Sequence, residues 1–163
     1  MIIRLKNKDT LIIDEFNLKC SIGKGGIKKN KIEGDGSTPK GIFKIGTLYW
    51  RSDRVKKPIT SLKCEAIKKN YVWCNDSKSK YYNRKVKISN KFKYEILFRK
   101  DFKYNYFILI EYNFKKPIKN KGSAIFIHLT KNYKKTAGCI AVSEKDFLIL
   151  IKLINKNSKI KIF

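Results

Sequence analysis

The chain has 163 residues, enough for one domain and too few for two of ordinary size, so a single domain over residues 1–163 is expected. A composition of 42% hydrophobic and 13% aromatic residues excludes an intrinsically disordered chain, even though 39 Lys+Arg against 13 Asp+Glu give a formal charge of +26. The basic residues are 34 Lys and only 5 Arg, spread as pairs such as Lys28-Lys29, Lys68-Lys69 and Lys134-Lys135 without a block or arm, which argues against a specific nucleic-acid partner.

In chain order, Met1-Ile2-Ile3-Arg4-Leu5-Lys6 lacks the layout of a signal peptide. No apolar run anywhere reaches the roughly 18 residues of a transmembrane segment. Thr10–Ile13 reads as a strand, Gly23-Lys24-Gly25-Gly26 and Gly34–Gly41 as loops, and Gly41–Leu48 as a second strand. A weak helical pattern covers Ser61–Lys69, and a strand follows at Lys85–Ile88. Tyr106–Tyr112 is almost continuously apolar, as a strand covered on both faces would be, and implies a sandwich or closed sheet. Ala124–Leu129 is a further strand. Ser143 then supplies a hydroxyl N-cap with Asp146 three positions on, and Phe147, Leu148, Leu150, Ile151 and Ile154 form the apolar stripe of one helix, which Asn155–Ser158 ends. The alternating Lys159–Phe163 is a last strand. The fold class is therefore mainly β, with one helix near the C-terminus.

The four cysteines, Cys20, Cys64, Cys74 and Cys139, form no C-x-x-C pair and have one histidine to join them, so no metal site is expected. Cys20, Cys64 and Cys74 read as small structural apolar groups. Cys139 differs, because the strand Ser123–His128 delivers the only histidine at its end and Thr136-Ala137-Gly138-Cys139 follows after a polar loop. An imidazole beside a thiol takes its proton near neutral pH and returns it to a leaving amine, and the amides around Gly138, Cys139 and Ile140 are placed to face a developing oxyanion. The competing reading makes His128 a buried structural residue in a basic binding module, for nucleic acid or an anionic wall polymer, with an inert His-Cys pair.

From about Lys24 to Phe163 the chain resembles the L,D-transpeptidase catalytic domain family (YkuD-like), in particular its compact, single-domain branch. The resemblance is carried in order by Glu33–Phe43 with its Thr38-Pro39-Lys40-Gly41 turn, by Tyr49–Val55, Trp73–Asp76, Tyr82-Asn83 and Tyr112-Asn113, and by Gly122–His128 followed by Thr136–Cys139. It implies a β-sandwich and a cysteine acyltransferase without metal or organic cofactor. Cys139 would attack a peptidoglycan stem tetrapeptide at its third residue, expel D-alanine and hold the acyl group as a thioester. His128 would move the protons, and Thr136, Gly138 and Ile140 would shape the loop around the nucleophile. An amine acceptor completes L,D-transpeptidation, and water gives L,D-carboxypeptidase activity.

The expected partners are peptidoglycan stem peptides, with nonspecific polyanion attraction as a side effect of charge, and a monomer is expected. The family implies the periplasm or cell envelope. Two departures stand out: the His-to-Cys interval is shorter than in most members, and Ala141 sits where many carry Arg. Arg99, Arg54 and Arg51 are the candidates to replace that Arg. Trp50, Trp73 and Tyr82 are core residues or groove walls, Asp35 is read as a turn residue, and Asn113 either bonds a catalytic loop or caps a strand end.

Overall fold

A computed structural model describes residues 1–163. Fourteen strands and one helix follow in order: β1 Ile2–Lys6, β2 Thr10–Ile13, β3 Phe16–Ser21, β4 Ile27–Lys28, β5 Thr38–Pro39, β6 Gly41–Trp50, β7 Cys64–Ala66, β8 Tyr71–Cys74, β9 Arg84–Lys87, β10 Tyr94–Ile96, β11 Tyr106–Ile110, β12 Phe126–Leu129, β13 Ile140–Val142, α1 Glu144–Leu153 and β14 Lys159–Ile162. Nine of them hydrogen-bond in the order β11-β12-β13-β3-β2-β1-β14-β6-β7, and a β11–β6 pairing closes the ring. Two strands pass between layers: β3 pairs with β2 and then β13, and β6 pairs with β14 through Gly41–Lys44 and with β11 from Ile45 on. The result is a mainly β sandwich. No helix is long and apolar enough to cross a membrane.

Alternation explains the first layer. In β1, Ile3 and Leu5 point inward while Ile2, Arg4 and Lys6 are exposed, and β14 repeats the pattern with Ile160 and Ile162. The second layer is different, since every residue of β11, β12 and β13 is buried. One face of it packs Ile108, Ile110, Ile127 and Ile140 into the main core between the layers. The other face packs Phe107, Leu109 and Phe126 against Trp73 and Leu97, under the small sheet β10-β8-β9. Thus the long apolar run of β11 reflects burial on two sides.

Helix α1 begins as expected, with Ser143 Oγ accepting from Asp146 N at 3.1 Å. Phe147, Leu150 and Ile151 enter the main core, where Phe147 stacks on Tyr106. The expected helix over Ser61–Lys69 does not form; the segment contains β7, which runs parallel to β6 with Leu48 opposite Cys64 and Trp50 opposite Ala66. Two physical reasons are visible. Leu62 and Ile67 enter different cores, which no single helical face allows. Thr60 and Ser61 donate their hydroxyls to the Ile151 and Ile154 carbonyls, satisfying the free acceptors at the end of α1. Strand β12 also starts later than expected, at Phe126, because Ala124 has φ 53°.

Candidate active site

The site is built on the parallel pair β12–β13. Register places His128 opposite Ala141 and Ile127 opposite Ile140, so Cys139, two residues before Ala141, shares a face with Phe126 and His128. That face lies beneath the small sheet, which makes the histidine and the cysteine nearly inaccessible, at 7% and 8% exposure. The thiol sits against the strand's own backbone, donating to Ala124 O at 3.3 Å and accepting from Phe126 N at 3.4 Å.

His128 Nδ1 lies 3.0 Å from the Leu129 carbonyl. A carbonyl oxygen only accepts, so Nδ1 carries the proton and Nε2 keeps its lone pair as the base. Tyr104 packs edge-on against the imidazole with ring centres 5.5 Å apart. Burial pushes the His128 pKa down to about 4, and burial together with the Glu95 charge pushes the Cys139 thiol up to about 12. The resting pair is therefore a neutral thiol and a neutral imidazole, and no hydrogen bond joins them.

Loops hold the nucleophile from behind. Thr38 Oγ1 donates to Gly138 O at 2.8 Å and accepts from Gly23 N at 2.9 Å. Gly138 has φ 140°, and a Cβ there would lie 2.8 Å from Ser37 O, so glycine is required by conformation and by space. Thr136 Oγ1 donates to Cys139 O and accepts from Gly138 N, clamping the turn. The Gly138 amide is thereby occupied, whereas the Cys139 N–H makes no hydrogen bond within the protein.

Asn83, 1% exposed with φ 56°, organises the approach to β12. Its Oδ1 accepts from Trp73 Nε1 at 2.8 Å and Ala124 N at 3.1 Å, and its Nδ2 donates to the Tyr112 and Asn113 carbonyls. Asn113 in turn bonds Ile118 and Gly122, tying the intervening loop. Glu33 Oε2 accepts from Ser123 Oγ at 2.7 Å and from the Tyr82 hydroxyl, which itself accepts from Gly122 N. These contacts place residues 122–124, and through Ala124 O they place the thiol.

Cys139 and His128 open into one cleft of about 700 Å³, together with Thr136, Ala141 and Arg99. Gly138 and Ile140 do not line it; the Ile140 side chain is in the main core. Ala141, small and level with His128, leaves the place of the family's Arg empty of side chain. Of the three arginine candidates Arg99 alone lines the cleft, bound through Nε and Nη2 to Asp101 with Nη1 left without a protein partner. Arg51 stacks on Phe98 at 3.5 Å and pairs with Asp53, and Arg54 bonds the Lys100 and Asp101 carbonyls, so both support the segment that carries Arg99. Trp73 and Tyr82 are core residues, and neither they nor Trp50 lines the cleft. Asp35 forms a turn, accepting from the Ile32 and Ser37 amides as well as from Lys31.

The rim is strongly cationic, with the exposed Lys24, Lys103, Lys131, Lys134 and Lys135 beside Arg99, while Lys31 lines the cleft from a buried position paired with Asp35. Glu95 and Tyr104 were not legible as site residues, since nothing in the local sequence marks them; the fold joins them by a hydrogen bond from the Tyr104 hydroxyl to Glu95 Oε1. No group of three or more His, Cys, Asp or Glu side chains suitable for a metal ion is present. All four cysteines are free thiols.

A family model described as the L,D-transpeptidase catalytic domain, YkuD, matches residues 3–162. The match reaches back past the Lys24 motif into β1, so the whole sandwich is covered. A search of curated proteins found no match.

Proposed function

The chain belongs to the L,D-transpeptidase catalytic domain family, and from that premise we propose that it is a cysteine acyltransferase acting on peptidoglycan stem tetrapeptides, with Cys139 as nucleophile and His128 as base and acid. One observation carries the reading: adjacent parallel strands bring the only histidine and Cys139 to one face, at one cleft, beside an unused Cys139 amide.

The neutral resting pair sets the order of events. The thiol attacks the carbonyl carbon of the third residue as its proton passes to His128 Nε2, so charge develops with bond formation. The carbonyl oxygen becomes an oxyanion facing the Cys139 N–H. Collapse breaks the amide bond, His128 Nε2–H protonates the leaving amine, and D-alanine departs, leaving the thioester. An incoming amine then gives a proton to Nε2 and attacks the thioester, and the thiolate recovers the proton from His128. Water in place of the amine gives carboxypeptidation by the same steps. The lysine rim and the free Arg99 Nη1 suit a peptide rich in carboxylates.

The test is intact-protein mass spectrometry after incubation with a stem tetrapeptide. An acyl adduct that maps to Cys139 and is absent from a folded Cys139→Ala variant is expected. A protein that shows no adduct while binding polyanions with steep salt dependence would be a basic binding module, and the acyltransfer reading would fall.

A further inference from the structure

The cleft has seven cationic lining residues and two carboxyl groups, Glu33 and Glu95, yet neither carboxylate forms an ion pair. Two basic groups of the same cleft pair with other carboxylates, Lys31 with Asp35 and Arg99 with Asp101. Glu33 is held by two hydroxyls on one oxygen. Glu95 has one partner only, the Tyr104 hydroxyl on Oε1, and its Oε2 has none. Since no buried side-chain oxygen is left unsatisfied, that second oxygen keeps contact with the cleft.

Tyr104 fixes where the carboxylate points. Its ring is 5% exposed and is wedged against Phe107 at 4.9 Å, Phe126 at 5.9 Å and His128 at 5.5 Å. Glu95 thus stands on the same aromatic support as the catalytic imidazole. Burial raises the Glu95 pKa against the opposing charge of Arg99, and the Glu95 charge also raises that of the Cys139 thiol, which lines the same cleft. A desolvated carboxylate with one neutral donor gains most from a cationic hydrogen-bond partner.

Resting on the acyltransfer reading, we propose that Glu95 is a specificity-determining residue that receives a side-chain ammonium group of the peptide acylating Cys139. The ammonium is a spectator and not the attacking amine, because a neighbouring carboxylate stabilises the protonated form and would hinder the deprotonation that attack requires. The cleft therefore reads both signs of charge: lysines and Arg99 meet the peptide's carboxylates, and Glu95 meets its amine.

Two stem tetrapeptides, identical except for lysine or Nε-acetyllysine at the third position, test this by their rates of Cys139 acylation. The wild-type protein is expected to react with the free-amine peptide about 10–100-fold faster in kcat/KM, with the difference mainly in KM. Glu95→Gln, which keeps an oxygen for Tyr104, should collapse the preference, and Glu95→Asp should restore part of it. Equal rates in the wild-type protein, or a preference that survives in Glu95→Gln, would overturn the assignment. An absence of adduct with both peptides would overturn the acyltransfer reading and this proposal together, whereas adducts formed at equal rates overturn this proposal alone.

Discussion

At the scale of single residues, the proposed chemistry depends on keeping two titratable groups neutral. His128 titrates at about 4 instead of its ordinary 6.5 because burial disfavours imidazolium, and the thiol of Cys139 is held up near 12. The base is thus competent well below neutrality. The acid limb of kcat/KM for the proposed reaction should fall near pH 4 and not near 6.5, and no thiolate-driven rise should appear below about pH 10. By the same reasoning iodoacetamide should label Cys139 slowly at neutral pH, although a peptide that engages His128 acylates it readily. Stability follows with a definite sign. Between pH 6.5 and 4 the unfolded chain binds a proton that folded His128 refuses, so the contribution is full above 6.5 and is lost as pH falls through that window. His128→Gln should remove up to about 1.4 kcal/mol per pH unit from the slope of unfolding free energy there, measured by urea titration at several pH values.

Elements act as a scaffold that delivers backbone groups as much as side chains. Asn83 joins the small sheet to the start of β12 through four hydrogen bonds, one of them to the Ala124 amide whose carbonyl partner holds the thiol. Asn83→Ala should cost at least about 2 kcal/mol in denaturant unfolding and also slow acylation, because buried groups lose partners at both ends. Gly138→Ala forces a Cβ against Ser37 O at 2.8 Å in a left-handed conformation, and should likewise impair both folding and acylation. Ser143→Ala separates the two effects. It removes the N-cap of α1, should cost about 1 kcal/mol of stability, and should leave acylation unaltered, since α1 does not line the cleft.

For the whole molecule the formal charge of +26 is opposed by only six ion pairs. Self-repulsion among lysines is long-ranged and screened by salt, whereas burial of the two cores is not. Tm should therefore rise as sodium chloride increases from about 20 to 300 mM. A fall would mean that the ion pairs outweigh the repulsion. The same field is expected to draw the protein to polyanions, an attraction that should weaken steeply with salt and should not require Cys139.

Local patterns determined much of the architecture. A short apolar segment marked β2, period-two alternation marked β14, a nearly unbroken apolar run marked β11, and a hydroxyl cap with an apolar stripe marked α1. The motifs Gly122–His128 and Thr136–Cys139 singled out His128 and Cys139 as candidates, and the parallel pairing of β12 and β13 sets both on one face of the sheet, at one cleft. The helical pattern at Ser61–Lys69 misled because pairing with β6 and capping of α1 are long-range effects that local propensity does not contain. Only the tertiary structure decided which amide of the Thr136–Cys139 turn stays free, since the Thr136 hydroxyl takes the Gly138 N–H and leaves that of Cys139. It also placed Arg99, alone of three arginines, in the cleft and brought Glu95 to the same cleft through Tyr104, contacts whose geometry arises when the small sheet covers the second layer. Chain order carries periodicity and motif, but burial, pKa and the direction of a hydrogen bond depend on atoms brought together from distant segments.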